Sequence, residues 1–221
     1  MGNTSGKSGL REYVEALGVA LILALIIRSF VVQAFTIPSG SMLQTLQIGD
    51  YLLVNKFAYG VRFPFSIKET NPDAPSVWAR YSVVQGGEMI SVGDPEREDI
   101  VVFEYPKNPS VHYIKRVIGI PGDTIEIRNK VLYRNGLRVN EPYVQHTKVM
   151  PGPGDNFGPV LVPEGKYLML GDNRDESYDS RFWGFVERDA IVGNALIIYW
   201  SMDGVRSIRW NRLGMLVQQY L

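Results

Sequence analysis

The sequence predicts a mainly β, antiparallel domain hung from one N-terminal transmembrane α-helix. Three observations carry that prediction. The apolar run Ala16–Ile27 continues past Arg28 through Ser29–Ile37, with Gln33 as its main polar interruption. From Asp99 onward, short β-branched runs alternate with turn signals. Within them Asn135-Gly136 stands between Val131-Leu132-Tyr133 and Leu137-Arg138-Val139, a strong hairpin signal because both turn positions tolerate positive φ.

Taken in order, residues 1–12 form a short polar N-terminus with Lys7 and Arg11 as its only cations. Residues 13–36 are the predicted anchor: Ala16–Thr36 as a helix, at ~1.5 Å per residue, spans about 30 Å, the hydrocarbon thickness of a bilayer. Arg28 lies two turns from its end, placed to snorkel. Two cations before the run favour a cytoplasmic N-terminus and put residues 37–221 outside the cytoplasm. A cleavable signal peptide is the rival reading, with Val32-Gln33-Ala34 as a passable cut site and Arg28 ill-placed for it. Tyr51-Leu52-Leu53-Val54 reads as a strand. Phe63–Glu98, rich in Pro, Gly and charge, reads as an irregular surface excursion. Ile100–Phe103, Val111–Ile120, Thr124–Arg128, Tyr167–Leu170 and Ile191–Trp200 are further strands, the last long enough to be central.

Composition narrows the chemistry. Lys+Arg and Asp+Glu each total 23 in 221 residues, so no global charge points to nucleic acid. Without cysteine there is no thiol nucleophile, disulfide or thiolate metal site. Only His112 and His146 are available as imidazole ligands, which argues against a multi-histidine metal centre.

Three stretches carry reactive groups. In Ile37-Pro38-Ser39-Gly40-Ser41-Met42, Pro38 stiffens the exit from the apolar run and Gly40 permits a tight turn between two hydroxyls. A serine so held serves as a nucleophile once a base lies nearby, although Pro38-Ser39-Gly40-Ser41 alone reads first as a turn. In Tyr113-Ile114-Lys115-Arg116, Lys115 shares a strand face with Tyr113 and Val117. A lysine base requires desolvation, and lowering its pKa by about three units costs roughly 4 kcal/mol. The polar segment Gly171–Arg181 follows an apolar strand. A calcium loop fails there on ligand spacing. A glycosidic carboxylate pair drawn from Asp172, Asp175, Glu176 and Asp179 competes with Arg174, Arg181 and Asn173, groups better suited to holding those carboxylates ionised.

Together these stretches resemble the bacterial type I signal peptidases, membrane-anchored serine proteases that remove signal peptides from exported preproteins. The resemblance continues through Gly49-Asp50, Lys56–Gly60, Asp99–Phe103, Gly119, Pro121–Asp123 and Trp183-Gly184, and so covers about Phe35 to Gly184 in the family's order. It implies Ser41 as nucleophile, Lys115 as general base, and Ser39 with the Ser41 backbone N–H as oxyanion hole. It also implies Ser177 as the hydroxyl orienting the lysine, Asp179 and Arg181 as a supporting salt bridge, and Ile37, Pro38, Met42, Leu46, Tyr113 and Ile114 lining pockets for an Ala-x-Ala motif. The partners implied are exported preproteins and the lipid bilayer of the bacterial cytoplasmic membrane, with no nucleic acid, metal or cofactor. The resemblance favours the anchor over the signal peptide, since a cut after Ala34 would detach Ser41 from the membrane. Gln44 replaces a usual proline and Glu98 a usual glycine. A tethered, inactive β binding module and a self-cleaving Ser-Lys repressor are the alternatives. The repressor needs a helix-turn-helix that the apolar N-terminus does not supply. A Ser-x-x-Lys acyltransferase is excluded by Met42 and Gln44 at the third positions.

Overall fold

The computed structural model describes residues 5–62, 65–69, 81–85, 89–204 and 207–219. Helix α1 (Ser5–Phe30) opens the chain, and the side chains of Leu17, Val19, Leu21, Ile22, Leu23 and Leu25 along it are exposed. Among the described residues no helix is long and apolar enough to cross a membrane. The side chain of Arg28 lies outside the described residues. The helix expected over 13–36 is corrected at its end: α1 stops at Phe30, and Val32–Thr36 forms strand β1. Aromatic and β-branched residues suit a pleated surface there. A full antiparallel partner waits in β2 (Asp50–Asn55), with Val32 opposite Asn55 and Thr36 opposite Tyr51.

The excursion is likewise corrected. It contains β4 (Phe65–Glu69) paired with β5 (Tyr81–Gln85), and β6 (Met89–Ser91), which pairs with β3 (Gly60–Arg62) just before the excursion. Short β-branched and aromatic segments such as Tyr81–Gln85 find ladder partners inside a stretch whose overall composition reads as loop. Residues 63–64, 70–80 and 86–88 lie outside the described residues.

The rest is antiparallel sheet, as the β-branched runs predict. Strands β7 (Ile100–Tyr105) and β8 (Asn108–Gly119) form a hairpin. Strands β9 (Thr124–Arg128), β10 (Val131–Arg134), β11 (Leu137–Arg138) and β12 (Phe157–Leu161) make a separate four-stranded sheet ordered β11-β10-β9-β12. Its hairpin turn has Asn135 at φ 54° and Gly136 at φ 80°, the left-handed pair that the sequence demands. Strands β13 (Lys166–Leu170), β14 (Val186–Glu187), β15 (Ile191–Asp203) and β16 (Ser207–Ile208) complete the main sheet, ordered β1-β2-β15-β7-β8-β13-β14 with β16 on β15. β15 is central, bonded to β2 and to β7.

Two apolar clusters involve the main sheet. One gathers Tyr59, Val101, Phe103, Val117, Met169 and Trp183. The other gathers Ile37, Met42, Leu46, Leu52, Ile198 and Val217, and so fastens the loop between β1 and β2 to the core. Burying each such side chain contributes about 1.5–3 kcal/mol. A third cluster joins the two sheets through Ile118, Ile125, Leu132 and Leu168.

Polar bonds fix the same loop from the C-terminal side. The buried Arg212 guanidinium pairs with both oxygens of Asp50, 3.1 and 2.6 Å away, and donates to the Thr45 carbonyl at 2.9 Å. Arg209 donates to Gln47 Oε1 and to the carbonyls of Ile48 and Met202.

Candidate active site

Ser41 sits on the turn that follows β1, and Lys115 near the middle of β8. Lys115 Nζ lies 2.5 Å from Ser41 Oγ, and the two residues are 4% and 7% exposed. The sequence places them 74 positions apart; the sheet makes them neighbours. Burial pulls the Lys115 pKa down to about 8, the Asp179 and Asp172 carboxylates push back up, and the Arg181 cation lowers it further. Tyr113 lies two residues back on the same face, its ring centroid 5.7 Å from Nζ. The Lys115 amine is thus desolvated and walled on one side by an aromatic ring.

The loop after β13 closes over this pair. Asn173 donates its side-chain N–H to the Gly40 carbonyl at 3.0 Å, and its backbone N–H to the Ser41 carbonyl at 3.1 Å. Asp179 and Arg181 form a buried two-point salt bridge, 2.8 and 2.9 Å, with Asp179 Oδ2 also accepting from the Gly171 N–H. The Ser177 hydroxyl is buried without a hydrogen-bond partner. Gly171 explains how it is packed. A Cβ there would stand 2.3 Å from Ser177 Oγ and 2.5 Å from the Ser41 carbonyl oxygen. Gly171→Ala is therefore expected to lower activity by about 100-fold, since a small displacement of reacting groups has that effect. Near-normal turnover by a folded Gly171→Ala protein would contradict this packing.

Two further groups in the loop are tied down. Burial pushes the Asp175 carboxyl up, but hydrogen bonds from the Lys148 N–H, Lys130 and His146 hold it at about 2. Asp172 accepts Arg116 Nε and Nη2 at 2.9 and 2.7 Å and the Thr45 hydroxyl at 2.5 Å. With Asp172, Asp175 and Asp179 all paired to cations, a glycosidic carboxylate pair has no free members among them. Among the described residues no group of His, Asp and Glu could hold a metal ion.

A cleft of about 350 Å³ opens onto the pair, lined on one side by Phe35–Ser39 and on the other by Val111–Ile114, with Glu176 and Tyr178 beside them. Its two main walls are strand edges. β13 pairs with β8 over Arg116–Gly119, so His112–Lys115 keep β7 as their ladder partner and turn their other edge to the cleft. Of the residues expected to line pockets, Ile37, Pro38, Tyr113 and Ile114 do so. Met42 and Leu46 do not: both are fully buried in one cluster with Leu52 and Ile198. Ser39 is exposed on the cleft wall.

Residues 10–200 match the family model described as "Signal peptidase, peptidase S26". The chain belongs to the signal peptidase family. Signal peptidase I of Pseudomonas aeruginosa is 37% identical, the alignment covering 87% of this chain and 73% of that one. The signal peptidase I of Leptolyngbya laminosa is also 37% identical, over 95% and 85%, and that of Bacillus licheniformis 34%, over 92% and 96%. The chain is thus a hydrolase, a serine peptidase of signal peptidase I type. Sequence reasoning missed two of this peptidase's site-building residues, Thr45 and Arg116, and assigned Asn173 to the nearby carboxylates rather than to the Gly40 and Ser41 carbonyls. Each acts through a partner far along the chain.

Proposed function

We propose that this peptidase removes N-terminal signal peptides from exported preproteins after small-x-small sites, with Ser41 as nucleophile and Lys115 as general base. The observation that carries the reading is the 2.5 Å contact between a buried Lys115 amine and the Ser41 hydroxyl at the cleft. In its neutral form the amine takes the Ser41 proton as Oγ attacks the scissile carbonyl. It then delivers that proton to the leaving amine and activates the water that hydrolyses the acyl-enzyme. Ser177 Oγ, buried and unpartnered, accepts a second amine N–H, which keeps the lone pair aimed at Ser41. Asp179 and Arg181 hold the loop that carries Ser177. The Ser41 backbone N–H and the Ser39 hydroxyl meet the oxyanion. Ile37, Pro38 and Ile114 contact the small residues and Tyr113 the residue between them, while Met42 and Leu46 support the site from below.

The same reading makes α1 the membrane anchor of a single-pass protein whose catalytic domain lies outside the cytoplasm. Its support is the exposed apolar side chains of α1 and the direct passage from α1 through β1 to the nucleophile turn.

A pH profile tests the mechanism. Only neutral lysine acts as a base, so kcat/KM on a preprotein with an Ala-x-Ala site is expected to rise about tenfold per pH unit below about 8 and level off above it. A profile flat from pH 6 to 9 would remove Lys115 from the role of base.

A further inference from the structure

The cleft has a second side that the small residues do not use. Side chains on β8 alternate between faces. Ile114 packs with the Ile37 and Met42 cluster, and the His112 ring meets Phe35 at 5.5 Å. Tyr113 turns the other way, stacking on Tyr105 at 4.6 Å, with the Tyr178 hydroxyl close to that of Tyr105. On this second side Tyr178 and Glu176 line the cleft at about half exposure. Glu176 contributes the only carboxylate among the described lining residues. Its backbone is fixed, because the flanking Arg174 and Asp175 are pinned by Glu141 and Lys130. Lys148 Nζ reaches Glu176 at 2.9 Å, yet both side chains are more than half exposed, and such a pair is weak enough to admit a second cation.

A peptide added to the free edge of β8 places successive side chains on opposite faces. With the two small residues of a small-x-small motif on the Ile37 and Ile114 side, the middle residue faces Tyr113, Tyr178 and Glu176. We propose that Glu176 and Tyr178 form a subsite that reads this middle residue, favouring lysine or arginine over an acidic side chain. The stem of the cationic residue lies along the Tyr178 ring and its charge meets the Glu176 carboxylate. The inference rests on the cleavage reading given above.

The test uses the full chain in detergent and three otherwise identical peptides, Ala-Lys-Ala, Ala-Gln-Ala and Ala-Glu-Ala at the cut site. Wild type is expected to prefer the lysine over the glutamate peptide by about tenfold in kcat/KM, mainly through KM, and less so at high salt. Glu176→Gln should bring that ratio within about twofold, and Glu176→Lys should invert it. Lys148→Ala, which frees the carboxylate, should widen it. A wild-type ratio near one, or a ratio that Glu176→Gln leaves unmoved, overturns the subsite. Failure of the wild type to cut even the glutamine peptide would instead overturn the cleavage reading, so the two failures are distinct.

Discussion

Lys115→Met is expected to abolish cleavage and, at pH 7, to make the folded protein more stable. Loss of the general base should lower turnover by about 10³-fold or more, and Ser41→Ala should match it, because members of one catalytic unit are not additive. The stability gain follows from the same burial. Lys115 titrates at about 8 in the folded chain instead of its ordinary 10.5, so below pH 8 the fold carries a desolvated cation that the unfolded chain leaves in water. The unfolded state binds the extra proton between pH 8 and 10.5, so wild-type stability rises with pH across that window. Two and a half units correspond to roughly 3 kcal/mol, fully present below about pH 8 and relieved by 10.5. Methionine retains the stem without the charge. Thermal melts of both proteins at pH 7 and pH 10.5 should show the variant ahead at the lower pH and the gap closing at the higher. A variant less stable than wild type at pH 7 would show that the amine strengthens the fold.

Asp172→Ala should have the opposite effect, a loss of about 3–5 kcal/mol, because it strands the Arg116 cation. Arg116 is wholly buried and bound to Asp172 at two points, with its remaining Nη1 on the Glu98 carbonyl and its guanidinium 3.8 Å from the Tyr143 ring centroid. The Thr45 hydroxyl, four residues beyond the nucleophile, loses its acceptor as well. Urea unfolding measures the loss. Combining Asp172→Ala with Arg116→Met removes the stranded charge and should recover much of it. A single-variant loss under about 1 kcal/mol would mean that water reaches the guanidinium.

How much of this was legible in the sequence depended on whether the signal was local. Asn135-Gly136 specified its turn because only a few residue types accept two positive φ values, and β15 announced itself by apolar length. The end of α1 was obscured because Val31–Thr36 is as apolar as the helix before it, and only the β2 partner decides between the two. Met42 and Leu46 show the same limit: an apolar residue beside a nucleophile reads alike as pocket wall or as core. Glu98 marks a turn, as its replacement of a glycine suggests, with φ at 74°. What its side chain binds, Arg134 at 2.7 Å and the Tyr143 hydroxyl, had no local signature. The partners of Asn173 and Arg212 were invisible for the same reason, since they lie well over a hundred residues away.

The Arg212 clamp also sets an order of events in time. Ser41 is synthesised early, Lys115 and Asn173 later, and Arg212 grips the Thr45 carbonyl across 167 positions. Loop closure over that separation belongs to the late stages of folding. Until Arg212 has been added, the loop that follows Ser41 lacks the guanidinium that holds the Thr45 carbonyl and Asp50. Residues late in the described chain thus decide whether a turn near its start is held.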